Sequence, residues 1–109
     1  MTHFMCIVQE NQAAHRATDR LEAGLREISA RYLGDGPTEI SWHVATPGDM
    51  FTGGRPSTSS IVSAAVTRLA GTADRKQILG ALCELWMDET GCSSHDVLVA
   101  IADATPASA

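Results

Sequence analysis

The chain has 109 residues, of which 44% are hydrophobic and 19% charged, and its formal net charge is −5. This length suits one globular domain and is too short for two independent cores. The acidic balance without clustered cations argues against a nucleic-acid partner. No apolar run approaches the roughly 20 residues that span a bilayer, and the start of the chain lacks the pattern of a secretory signal. We therefore expect a cytoplasmic protein with no membrane or nucleic-acid partner.

The sequence lacks the residue spacings that are typical of metal sites and disulfide frameworks. The three cysteines (Cys6, Cys83 and Cys92) show no CxxC spacing, and the four histidines form no HxxH or HxxxH pair. Zinc sites and disulfide frameworks depend on such spacings. We expect neither a metal nor a cofactor.

The first half of the chain predicts a strand, a helix and a second strand. Thr2–Gln9 contains a continuous apolar run, which is typical of a strand covered on both faces. Residues 13–32 carry an apolar stripe at helical spacing, formed by Leu21, Leu25 and Ile28. In segment 39–45 apolar and polar residues alternate, which predicts a strand.

The second half repeats this order after a segment rich in Gly, Pro, Ser and Thr. We predict a strand over 60–66, a helix from 72 or 74 to 89, a strand over 96–101 and a short tail. One domain, 1–109, would then comprise a first β-α-β unit (1–46), a connecting loop (47–58), a second unit (59–104) and a tail (105–109).

The two halves have the same pattern when the chain is displaced by 57 positions without a gap. Leu25 then falls on Leu82, Ile40 on Val97, and Phe4 on Ile61. Such a repeat indicates a duplicated β-α-β unit, with parallel strands inside each unit. The predicted fold is α+β, with a four-stranded sheet and two helices on one face. A ferredoxin-like βαββαβ monomer is the alternative.

The other face of this sheet is predicted to be too apolar for contact with water. Its candidate residues are Met5, Ile7, Val62, Ala64, Leu98 and Ala100. A two-layer domain cannot leave such a face uncovered, so we expect it to pack against other subunits. His43 alternates with Trp42 and is expected at the subunit boundary, whereas Trp42 and Cys6 are expected in the core.

Several short segments resemble the tautomerase superfamily. They are segment 40–44 (Ile-Ser-Trp-His-Val), segment 50–54 (Met-Phe-Thr-Gly-Gly), and Arg68 followed by Ala-Asp at 73–74. The resemblance extends over about residues 2–104 in order and spacing. It implies two pseudo-symmetric β-α-β units, assembly as a homotrimer, and a small organic acid or carbonyl ligand.

The resemblance also implies where the functional residues lie. Thr2 stands where the family has a catalytic proline, whose amine acts as base, acid or nucleophile. Arg68 stands at the family's carboxylate-binding position, whereas Gly71 replaces a second arginine and Ser29 falls near a helix-one histidine. The predicted catalytic residues are Thr2 and Arg68, and the predicted substrate-binding residues are Arg68, Arg55 and His3.

Three functions follow as hypotheses. In the first, the protein is an isomerase- or lyase-type enzyme: loss of Met1 exposes the amine of Thr2 as a base, and Arg68 binds a carboxylate or developing oxyanion. In the second, it is a non-catalytic trimer that binds a ligand or serves as a scaffold. In the third, it is a ferredoxin-like module that binds a small molecule.

Overall fold

The structure, a computed structural model, describes residues 2–34, 37–46, 48–66 and 72–103. Its elements in chain order are β1 (Thr2–Gln9), α1 (Ala13–Arg16), α2 (Thr18–Tyr32), β2 (Thr38–Ala45), β3 (Phe51–Thr52), β4 (Arg55–Pro56), β5 (Ser60–Val66), α3 (Thr72–Thr90), a 3-10 turn (Ser94–Asp96) and β6 (Val97–Asp103). The bounds of β1 and β5 are those predicted. Over the described ranges, no helix is long and apolar enough to cross a membrane.

Four strands form one mixed sheet in the order β2-β1-β5-β6. The pairs β1–β2 and β5–β6 are parallel, and the central pair β1–β5 is antiparallel. The prediction of two β-α-β units with parallel strands is therefore confirmed. The ferredoxin-like alternative is wrong, because such a sheet is antiparallel throughout.

The strand directions give the sheet two distinct ends. Thr2 pairs with Thr38 on one side and with Val66 on the other, so these residues define the Thr2 end. Gln9 pairs with Ala45 and contacts the start of β5, which defines the Gln9 end. The chain therefore leaves β5 at the end where β1 begins.

The helices cover one face of the sheet and enclose the core. Side chains from alternate positions of β1 and β5 meet the apolar stripes of α2 and α3, because strand side chains alternate between faces while helical ones recur every three or four residues. The fully buried set includes Phe4, Cys6, Val8, Leu21, Leu25, Val62, Ile78, Leu82 and Trp86. The predicted stripe of the first helix and the apolar residues of α3 thus both pack against the sheet.

The uncovered face, here called the open face, carries the remaining alternate positions of the strands. They are His3, Met5, Ile7, Glu39, Ser41, His43, Ile61, Ser63, Ala65, Leu98, Ala100 and Ala102. Met5 is 52% exposed and Leu98 is 58% exposed in the single chain. The open face is therefore apolar at its centre, as predicted.

Two residues predicted for the open face lie in the core instead. Val62 is 0% exposed and Ala64 is 1% exposed, and both belong to the core cluster. The reason is the register between the strands. Ile40 pairs with Phe4, so the displacement of 57 requires Val97 to pair with Ile61, but Val97 pairs with Ser60. The second unit has one more residue between its first strand and its helix, so the gapless repeat is wrong by one position in β5.

The predicted first helix is divided in two, so over the described ranges three α-helices rather than two lie on the sheet. Ala17 has φ −110° and ψ 17°, which is outside the helical region, and it separates α1 from α2. The predicted connecting loop also contains a ribbon of β3 and β4. Its turn uses Gly53 and Gly54 at φ 59° and 79°, a region that glycine adopts without steric cost.

Candidate active site

Thr2 is held at the first position of β1 by hydrogen bonds and by burial. Its backbone N–H donates to the Pro37 carbonyl over 2.9 Å. The residue is 5% exposed. It lies two positions before Phe4 on the strand, so both side chains are on the helix-covered face. Its nitrogen therefore has one fixed acceptor.

Helix α2 fixes the neighbouring strand at this end. The hydroxyls of Ser29 and Thr38 are 2.9 Å apart, and Ser29 is 2% exposed. Arg26 Nη1 donates to the Thr38 carbonyl over 3.2 Å. Thr38, which follows Pro37, is thus hydrogen-bonded to α2 through both its side-chain hydroxyl and its backbone carbonyl.

His3 lies on the open face, next to Thr2 in the chain. Its Nε2 is 2.8 Å from Ser41 Oγ. It borders a hollow of about 270 Å³, whose other walls are Met5, Ser63, Ala64, Ala65, Ala100 and Ala102. Most of these residues are serine or alanine, and the recess is mostly apolar with one imidazole at its rim.

The predicted residue Arg68 lies outside the described residues. Val66, the last described residue before it, pairs with Thr2 in the central antiparallel pair. The chain thus enters segment 67–71 from the Thr2 end of the sheet. The predicted association of Arg68 with Thr2 stays a prediction.

Arg55 and Thr2 lie at opposite ends of the sheet. Arg55 belongs to the exposed ribbon β3–β4, which joins the Gln9 end of β2 to the start of β5. A strand as long as β1 spans about 23 Å at 3.3 Å per residue. Within one chain, Arg55 and Thr2 are therefore not brought together.

The predicted core residues have properties that argue against catalysis. Burial raises the pKa of Cys6 to about 12, and Glu22 adds to the shift. Since the thiolate is the reactive form, Cys6 behaves as a small hydrophobic residue. Trp42 Nε1 donates to Glu22 Oε1 over 2.6 Å, and its ring centroid lies 6.2 Å from that of Trp86. Cys6 lies in the core as predicted, and Trp42 is partly buried and packs against the core.

A polar hollow at the Gln9 end was not predicted. It has a volume of about 160 Å³ and is lined by Gln12, Ala13, Ala14, Thr58, Ser60, Thr90, Gly91, Cys92 and Asp96. Asp96 accepts hydrogen bonds there from Thr58 over 2.8 Å and from Ser93 over 3.1 Å. Its lining comes from segments far apart in sequence, so no local motif signals it. In the described ranges, no cluster of three His, Cys, Asp or Glu residues could hold a metal ion.

Comparisons with known proteins identify the fold. No protein-family model matches the chain, and no curated protein matches it significantly. Among solved structures, native Ps01740 is similar at 24% identity, with a TM-score of 0.87 over 95% of both chains. Pt0534, whose structure shows it inactivated by 2-oxo-3-pentynoate, has a TM-score of 0.82 at 15% identity over 93% of this chain and 84% of that one. A wild-type fused 4-OT described as a symmetric trimer has a TM-score of 0.82 at 13% identity, with the same coverage.

These similarities place the chain in a class of folds. Its two β-α-β units and its mixed four-stranded sheet form the tautomerase-superfamily fold. Because the sequence identities are below 25%, the likeness defines the fold and leaves the activity to be argued from the residues.

Proposed function

We propose that the protein is an isomerase- or lyase-type enzyme that acts on a small enolisable or unsaturated carbonyl or carboxylate compound. The reaction would be proton transfer, hydration or cyclisation. The observation that carries this proposal is the setting of Thr2: a buried first strand residue whose nitrogen is held by the Pro37 carbonyl, in a chain with the tautomerase fold. A nitrogen fixed in this way has the placement that a general base needs.

The proposed chemistry divides between two residues. With Met1 removed, the Thr2 amine takes a proton from a carbon next to the substrate carbonyl, or from water that adds to a double bond. Charge then develops on the substrate oxygen. The Arg68 guanidinium binds the carboxylate and stabilises that oxygen through paired N–H donors. His3 and Arg55 are proposed as further substrate-binding residues, with Arg55 contributed to a neighbouring subunit's site.

Assembly as a cytoplasmic homotrimer is part of the proposal. The open face exposes Met5 and Leu98, and their burial would stabilise an assembly. The fused 4-OT neighbour is described as a symmetric trimer. His43 lies on the same face as these residues, so it belongs to the proposed subunit boundary.

A non-catalytic trimer that binds a ligand or serves as a scaffold is the second candidate function. It is favoured by the same bond at Thr2. While Met1 is retained, the nitrogen of Thr2 is an amide that donates to Pro37 and has no basic lone pair. The processing state at Met1 therefore separates the two functions.

The experiment uses 2-oxo-3-pentynoate, a small α-keto acid, as the probe. In protein that begins at Thr2, we expect an adduct on the Thr2 amine, mapped by peptide mass spectrometry. Adducts on Cys83 or Cys92 are counted separately. Arg68→Ala should slow the labelling of Thr2 by about 100-fold, the scale of one lost oxyanion donor. Arg68→Lys should restore part of that loss, because a point charge cannot bind a carboxylate bidentately.

Arg75→Ala provides the matched control, since Arg75 is an exposed arginine on α3. It should leave the labelling rate unchanged. Equal labelling of Thr2 in wild type and in Arg68→Ala would contradict the proposed role of Arg68. Labelling confined to cysteines would favour the non-catalytic trimer.

A further inference from the structure

Two hydrogen bonds, joined by the peptide unit between Pro37 and Thr38, connect the buried side of α2 to the nitrogen of Thr2. Ser29 lies in the last turns of α2 and is 2% exposed, and its hydroxyl is 2.9 Å from that of Thr38. The residue before Thr38 is Pro37, whose carbonyl accepts the Thr2 N–H over 2.9 Å. Because one peptide unit joins Pro37 to Thr38, anchoring Thr38 restricts the direction of the Pro37 carbonyl.

We infer that Ser29 is a positioning residue, whose buried hydroxyl holds Thr38 so that the Pro37 carbonyl remains the hydrogen-bond acceptor of the Thr2 nitrogen. The inference rests on the proposed function and extends it, because it names a residue that positions Thr2, the proposed base. Arg26 supports the same segment from the helix surface by donating to the Thr38 carbonyl over 3.2 Å.

The arrangement has a chemical consequence once Thr2 carries an amine. A carbonyl that accepts from the ammonium form favours that form, whereas burial disfavours it. The Pro37 carbonyl thus opposes the effect of burial on the pKa of the amine. The charged or titratable side chains of the described residues at this end include Arg26, Arg31 and Tyr32 on α2, Arg75 and Lys76 in the first turns of α3, and His3 and Glu39 on the strands. His3 and Glu39 lie on the open face, opposite to the side chain of Thr2.

The composition of the chain makes this inference directly measurable. Lys76 is the only lysine, and it is exposed on α3. Protein that begins at Thr2, prepared by proteolytic release and checked by intact mass, therefore has only two amines. Trace acetylation with acetic anhydride across pH 6–10, followed by mass spectrometry, gives the titration of Thr2 with Lys76 as an internal reference.

Ser29→Ala should lower the apparent pKa of the Thr2 amine by about half a unit to one unit, because the charged form loses a well-placed acceptor. Lys76 should titrate as in wild type. Thr38→Val removes the same hydrogen bond from the strand and should give the same shift. The double variant should add nothing further, since both changes break one interaction. Thr58→Val, which removes a hydroxyl at the Gln9 end, should leave both titrations unchanged.

Several results would overturn the inference. One is a Thr2 titration in Ser29→Ala and Thr38→Val that matches wild type. Another is a double variant whose shift is the sum of the two single shifts. Failure of Thr2 to acetylate at any pH at which Lys76 does would also overturn it, because a small reagent could then not reach the nitrogen. If Ser29→Ala does not fold, Thr38→Val carries the test alone. The titration needs no turnover, so a shift in a protein without catalytic activity would refute the proposed function and leave the inference standing.

Discussion

Leu82 lies at the centre of the helix-covered core, where the repeat pairs it with Leu25. Both side chains are 0% exposed. Leu82→Ala removes three buried carbon atoms, worth about 0.8 kcal/mol each in transfer free energy, or roughly 2.4 kcal/mol. The remaining cavity adds to this cost, so we expect a loss of about 2.5–5 kcal/mol in the free energy of unfolding. Leu25→Ala should cost a similar amount.

Urea unfolding followed by tryptophan fluorescence measures this loss. Trp42 and Trp86, the two tryptophans, both pack in or against the core, so their emission reports on its disruption. All variants are compared at one protein concentration, because assembly makes the apparent stability depend on concentration. Leu79→Ala is the control: Leu79 is half-buried on the same helix but outside the core cluster. If Leu82→Ala and Leu25→Ala cost no more than Leu79→Ala, the assignment of the two helix stripes to one core is refuted.

The open face and the buried thiol give two further predictions. Leu98→Asp, at a residue 58% exposed on the open face, should convert a trimer to smaller species in light scattering at micromolar concentration, whereas Glu84→Gln on the helix surface should not. A monodisperse wild-type monomer would contradict the proposed assembly. Thiol labelling of native protein at pH 8 should spare Cys6, because its pKa is raised to about 12. The pKa of the thiol has its ordinary value of 9.0 in the unfolded chain. The neutral, buried thiol therefore contributes fully to stability below pH 9, and this contribution is lost as the pH rises towards 12. Cys6→Ala should therefore lose less stability than wild type over that window, and an equal loss would contradict the argument.

Periodicity was sufficient to predict the main elements, because helices and strands bury residues at different spacings. It failed for the faces of β5. Ile61 and Val62 are both apolar, so alternation does not show which of them faces the helices. The repeat then assigned the wrong face, because a displacement of 57 misses the extra residue of the second unit.

The site was harder to predict than the fold, because it depends on which ends of the strands meet. The antiparallel pairing of β1 with β5 brings Val66 to Thr2. The same pairing carries Arg55 to the Gln9 end, which composition and spacing could not show. The hydrogen bond between Ser29 and Thr38 could not be predicted either, since the two residues lie on different elements.

The pairing of Thr2 with Val66 also sets an order of events during synthesis. These two residues are 64 positions apart, so β1 has no partner on that side until residue 66 has left the ribosome. During this interval an aminopeptidase can reach the bond between Met1 and Thr2. Once β1 is paired on both sides, Thr2 is 5% exposed. A peptidase acting on the nascent chain would therefore meet Thr2 before its pairing with Val66 is complete.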